Sequence, residues 1–183
     1  MPDIIKDGKG TGYTAQVGTD NRLLVHAITE SVERSATEDG VSFHLLFDAT
    51  PTGAGDCFVY IKNESDDVMI IEGFTYSVAS AEQILVKRND SGTAAGGGIT
   101  TPVNCNFGAL TQATGTFRTG NDITGLSGGV TVDKLWCTSA ETTGYNFEQD
   151  IIIPKYSTFS MYAVTGGINV RGTVIFNYYE EKY

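Results

Sequence analysis

The sequence predicts an all-β fold, an antiparallel β-sandwich or jelly roll preceded by an N-terminal β-hairpin arm. Three observations predict it. From Val41 onward, short apolar or alternating runs rich in Val, Ile, Phe and Tyr recur between polar turn clusters. The chain carries 22 glycines and abundant threonine but 4 prolines, a composition suited to many strands joined by tight turns. No helix of convincing length is visible, and the best candidate, around Ile28 to Thr37, lacks a sustained apolar stripe.

Taken in order, the chain opens with a turn-rich stretch, Asp7-Gly8-Lys9-Gly10-Thr11-Gly12. Tyr13 to Val17 then reads as a strand, Gly18 to Asn21 as a turn and Arg22 to Thr29 as the returning strand. Residues 1–30 therefore read as a hairpin arm. Two strands alone are barely stable in water, so the arm must pack on its own domain or on a neighbour. Residues 31–40 are polar and poorly periodic, and read as a linker or surface loop.

Residues 41–183 read as the sandwich domain. SFHLLFD, CFVYIKN, DVMIIEGFTYSV and EQILVKR are its clearest early strands, with residues 62–67 as the turn of a hairpin between the second and third. Asn89 to Thr101 reads as a long glycine-rich loop. Weaker strands are expected around Val103–Phe107, Gly115–Arg118, Asp122–Leu126 and Asp133–Thr138. DIIIP, STFSMYAV and INVRGTVIFNYYEE form a strong C-terminal set, with turns at 154–157 and 165–167.

Bulk properties bound the function. With 183 residues, 40% hydrophobic and 19% charged, the chain is long and apolar enough for one well-filled core. Twenty-two acidic against twelve basic residues give a formal charge of -10. That sign disfavours nucleic acid and anionic membranes, which take their affinity from basic residues. Cys57, Cys105 and Cys137 are an odd set without a CxxC pair, as expected of a reducing compartment, with Cys57 and Cys137 as small core residues. The opening MPDIIKDGKG has no apolar h-region, so secretion by the usual route is not expected.

No constellation points to catalysis. His26 and His44 give no HxH pair of the kind metal-dependent cupins use, and no GxSxG elbow is present. His44 reads as a strand residue at a surface or interface. Glu64, Asp66 and Asp67, with Asn89-Asp90, offer hard oxygen ligands of the type calcium takes, but without a DxDxDG pattern, and no cofactor is expected. Tyr145, Tyr178, Tyr179, Tyr183 and Trp136 would supply a carbohydrate platform if exposed; packing across a sheet or an oligomer interface is the commoner use of such tyrosines.

Several segments carry a resemblance. IKDGKGTGYTAQVGTDNRLLVHAIT resembles the opening of small virion structural proteins of tailed bacteriophages, which begin with a "DGxGxG…A.V…NRL" segment and run into a polar linker. FVYIKNESDDVMIIEGF is similar to their strand–turn–strand block, and PVNCNFG resembles their later "N.N.G" segment. DIIIPKYSTFSMYAV resembles their closing strand pair, with Tyr156 where glycine is more usual. The resemblance implies a jelly-roll capsid decoration, cement or head-fibre protein on the virion surface, assembled in the host cytoplasm. Its arm would anchor to the major capsid protein and its globular domain would form a homo-oligomer, a trimer in such proteins. Tyr13, Val17, Leu23, Val25 and Ile28 would then be the contact set of the arm, unless they cover the domain's own core. A carbohydrate- or receptor-binding sandwich is the alternative.

Overall fold

The computed structural model describes residues 5–6, 14–15, 32–138 and 142–179. The chain divides into two compact units, Met1–Ser31 and Val32–Tyr183. In the first, β1 (Ile5–Lys6) pairs antiparallel with β2 (Thr14–Ala15). The ladder therefore joins residues 14–15 to a strand upstream of the turn-rich opening. The expected partner, Arg22 to Thr29, lies outside the described residues.

The second unit opens with a helix, α1 (Val32–Glu38), where the sequence predicts a linker or surface loop. No apolar stripe announces it, because one side chain, Ala36, does the burying at 3% exposure. Its C-terminus is fixed by local chemistry. Gly40 adopts φ +70° and donates its N–H to the Thr37 carbonyl (3.0 Å), while Val41 N–H reaches the Ala36 carbonyl (2.9 Å). These two bonds are a Schellman cap, and glycine accepts the left-handed conformation without a Cβ penalty.

Ten strands follow: β3 (Ser42–Ala49), β4 (Cys57–Asn63), β5 (Val68–Val78), β6 (Glu82–Ala95), β7 (Gly98–Ile99), β8 (Val103–Asn104), β9 (Gly115–Cys137), β10 (Thr142–Ile153), β11 (Thr158–Ala163) and β12 (Val170–Tyr179). The front sheet has the order β10-β5-β12-β3-β8 and the back sheet β4-β11-β6-β9-β7, with a further pairing of β4 to β9. Setting aside the two-residue strands β7 and β8, successive strands alternate between the sheets from β3 to β6 and again from β9 to β12. Two antiparallel four-stranded sheets built from such alternating strands make a jelly roll.

Alternation corrects one reading of the sequence. Residues 62–67 do turn, but β4 and β5 belong to different sheets, so the turn is a corner and not a hairpin. The turns at 154–157 and 165–167 also carry the chain from one sheet to the other. The first two corners are clipped together by Asn63, which is fully buried. Its Nδ2 donates to the carbonyls of Asp67 (2.8 Å) and Ile153 (2.9 Å), and its main-chain carbonyl accepts the Tyr156 N–H (2.7 Å).

The main core lies between the sheets. Phe176 stacks on Phe43 (ring centroids 5.6 Å) and on Phe117 (5.5 Å), and all three are buried. Each such aromatic contact adds about 1 kcal/mol to the burial of its rings. CFVYIKN in β4 does not alternate because both of its faces are covered. Phe58, Val59 and Ile61 enter the main core, while Cys57 and Tyr60 join a second cluster with Ala94, Ile123 and Tyr162 on the other side of the back sheet.

The second cluster exists because β6 and β9 are longer than the sequence suggests. The segment read as a glycine-rich loop continues β6 to Ala95, and the last three of the four weak strands after it are one strand, β9. Glycines at positive φ (Gly120, Gly125, Gly128, Gly129) and Asp122 at φ +54° bend β9 without ending it. Its first part pairs with β4 from Gly115 to Ile123, and its last part with β6 from Thr124 to Cys137, so the back sheet curls round on itself.

Candidate functional site

The contact residues expected in the arm, Tyr13, Val17, Leu23, Val25 and Ile28, lie outside the described residues, as does His26. In the sandwich, the chemically capable side chains are engaged in holding loops. Glu82 is buried and accepts the N–H groups of Gln83, Thr165 and Gly166, pinning the β11–β12 corner. Asp122 accepts both the N–H and the hydroxyl of Thr52 (2.8 Å each), and these bonds hold its carboxyl below the usual range.

The proposed oxygen ligands for calcium are not gathered. Asp66 pairs with Lys155, whose bond lowers the carboxyl pKa, and Glu64 lies 3.3 Å from Lys62. Asp90 turns inward, where Oδ2 accepts the Ser160 hydroxyl and Oδ1 lies against Gly129. Among the described residues no three His, Cys, Asp or Glu come together as a ligand set.

Neither Cys57 nor Cys137 is set up as a nucleophile. Burial, with the nearby Asp90 charge adding to it, pushes the Cys57 thiol up to about 12, and burial likewise raises Cys137. Thiols held protonated are poor nucleophiles. His44 stands half-buried on β3 between Val103 of β8 and Ile175 of β12, and burial lowers its pKa.

Of the aromatic residues considered for a carbohydrate platform, Tyr183 lies outside the described residues, and Tyr145 and Tyr178 are engaged in packing. Tyr178 is in the core and donates its hydroxyl to the Thr114 carbonyl (2.7 Å). Tyr145 stacks on Phe74 and donates to Asp133 (2.6 Å). Trp136 is left 67% exposed on β9, away from them in role.

What the surface does offer is exposed apolar side chains on rigid supports. Phe107 is 93% exposed and Leu110 is 97% exposed. Their loop is firmly built by the segment PVNCNFG. Asn104 Oδ1 accepts the Asn106 N–H (2.8 Å), and Asn106 Oδ1 accepts the Gly108 N–H (3.0 Å), two Asx turns in succession. The amides of the same asparagines donate outward, Asn104 to Gly40 and Thr111 and Asn106 to Glu38, tying the loop to the end of α1. The N.N.G spacing is thus a device for holding Phe107 out into solvent.

A second exposed apolar region is a cleft of about 610 Å³ between the sheets, lined by Arg88, Asn89, Val132, Ile151, Ile152 and Pro154 among others. It opens on the side where β9 and β10 are the outermost strands. No family model, no curated protein and no solved structure matches the chain.

Proposed function

We propose that this chain is a virion structural protein of the tailed-phage type, binding the major capsid protein through residues 1–30 and decorating or stabilising the shell as a homo-oligomer. The observation that carries the reading is the PVNCNFG loop, a segment of the resemblance, in which asparagines serve to present an almost fully exposed phenylalanine. Rigid presentation of apolar side chains suits binding, because little side-chain or loop entropy remains to be lost on association. A second point supports the resemblance. Tyr156, where it leads one to expect glycine, has φ +67°, a conformation that glycine adopts freely and other residues resist. The role is assembly and not catalysis.

The test is deletion of residues 1–30. The truncated protein should keep a cooperative thermal transition and a β-rich circular dichroism spectrum, yet fail to co-sediment with phage particles that lack their own copies. Retained binding to the particle would sink the arm's role. Failure of the full chain to bind any such particle would sink the virion reading.

A further inference from the structure

The outer face of the back sheet carries a small polar hollow. Register puts Tyr60 beside Arg118 and Lys62 beside Thr116, where β4 pairs with the start of β9. Their neighbours Ile61 and Phe117 belong to the main core, so these four side chains stand on the opposite face. Glu64 lies just past the end of β4, and Gly92, Thr93 and Ala94 of β6 form the facing wall. That wall is fixed in place. Gly92, at φ +101°, lies so close to β9 that a Cβ would stand 2.1 Å from the Gly125 carbonyl oxygen, and Ala94 packs in one cluster with Tyr60. The volume of the hollow is about 280 Å³.

Glu82, Asp122 and Asn104 use their polar atoms to hold loops, whereas the side chains of the hollow keep bonding capacity in reserve. Arg118 donates from Nη1 to the Gly96 carbonyl (2.9 Å), but its Nε is buried without an acceptor and it has no ion pair among the described residues. Glu64 takes both Lys62 (3.3 Å) and the Thr116 hydroxyl (3.1 Å) on Oε1, and its Oε2 bonds to none of the described residues. The Tyr60 hydroxyl likewise bonds to none of them. Burial, with the Asp90 and Glu64 charges adding to it, raises the Tyr60 pKa, so the hydroxyl stays a donor.

We infer that this hollow binds one ring of a sugar acid, a hydroxylated carboxylate of the uronic type. Lys62 and Arg118 against Glu64 leave one net positive charge at the hollow, although the whole chain carries a formal charge of -10. At physiological salt, charges beyond about 8 Å are largely screened, so the local groups set the sign. Arg118 lacks an anion, and its planar fork suits a carboxylate. A phosphate dianion would meet the free oxygen of Glu64, and a neutral sugar would leave Arg118 unpaired. A carboxylate that carries hydroxyls answers both groups, with its charge on Arg118 and Lys62 and its hydroxyls on Glu64 and Tyr60. Drug-sized ligands occupy clefts of about 300–1,000 Å³, so a hollow of about 280 Å³ takes a single ring and not a chain. Such binding is additional to the assembly role and does not depend on it.

The test titrates the full chain with D-glucuronate and follows the backbone amide signals by NMR. Saturable shifts should gather at residues 60–64, 92–96 and 116–118, with a dissociation constant in the millimolar range or tighter. D-glucose, acetate and inorganic phosphate each carry part of the chemistry and should bind at least tenfold more weakly. Arg118→Gln should weaken glucuronate binding at least tenfold. Should that variant fail to fold, Tyr60→Phe keeps the buried ring, removes only the hydroxyl and should weaken binding about threefold or more, with the circular dichroism spectrum unchanged. Absence of saturation, shifts gathered elsewhere, or any of the three controls binding as tightly as glucuronate overturns the inference. Unchanged affinity in a folded Arg118→Gln or Tyr60→Phe overturns it as well.

Discussion

The two ends of β9 are made from one strand and treated in opposite ways. Its first part, Gly115 to Ile123, is paired with β4 on one edge, touched by β7 at Thr119 and Arg118 on the other, and sends Phe117 into the main aromatic stack. Its last part, Val130 to Cys137, pairs with β6 alone among the described residues, and Val132 and Trp136 on it are exposed. The difference lies in the bend between them. Glycines that tolerate positive φ turn the strand by allowing backbones to approach where a side chain would collide. What the comparison teaches is that this chain closes one side of its sandwich by curling a strand and leaves the other open, so openness there is a property of the fold and not of sequence polarity.

The comparison can be broken most sharply by truncating one residue from each part. Phe117→Ala removes a buried ring from a stack and should cost about 3–5 kcal/mol in urea unfolding. Val132→Ala, measured at concentrations where the chain is a single copy, should cost under about 1 kcal/mol because its side chain is nearly half exposed already. Equal losses would mean that the open side is monomer core.

A smaller effect sharpens the role of the bend. Gly125 has φ +78°, and a Cβ there would stand 2.3 Å from the Thr93 carbonyl oxygen of the facing strand. Gly125→Ala should therefore cost about 2 kcal/mol or more, from the left-handed backbone plus the collision. Gly128 has φ +75°, but its Cβ would meet only Ser91 Oγ at 3.7 Å, so Gly128→Ala should cost about 1 kcal/mol, the conformational part alone. Denaturation midpoints of the two variants check this order.

The smallest effect is a pH dependence confined to the closed part. Asp122 is held below the ordinary carboxyl range by its hydrogen bonds to Thr52. A depressed folded-state pKa contributes stability above the unfolded value and loses it as pH falls through the folded one. Below about pH 4, amide exchange at Thr52 should therefore accelerate before exchange in β6 opposite Val130 does. Parallel acceleration in both places would remove the distinction.

The strands were largely legible in the sequence. Runs such as SFHLLFD and EQILVKR carry their pattern within seven residues, and period-two burial follows directly from it. Partnership was less legible. Alternation says which face a side chain takes, not which strand lies beside it, so residues 62–67 look like a hairpin turn although they join two sheets. α1 overlaps the best helical candidate of the sequence, around Ile28 to Thr37, but shows no apolar stripe because it depends on one buried alanine and a glycine cap. β9 looked like three strands because its glycines read as stops, whereas paired on both sides they act as bends. The open cleft had no local signal at all. Val130 and Val132 are ordinary strand residues by type, yet they stand 56% and 45% exposed. The arm's contact set stands outside the described residues.

One consequence of the strand order concerns how the chain comes to its final state. β12, the C-terminal strand, lies between β3 and β5 and pairs with both along nearly its whole length. Until it arrives, the front sheet is two separate pieces, and Phe43 and Phe74 have no neighbour in the middle. Closing that gap joins residues from 92 (Val170 and Val78) to 135 (Asn177 and Ser42) positions apart, the kind of distant pairing that slows folding to milliseconds or seconds. A nascent chain lacking its last strand is thus committed to waiting, with half a sheet's apolar face in water. Its yield in the cell should depend on how well that interval is shielded.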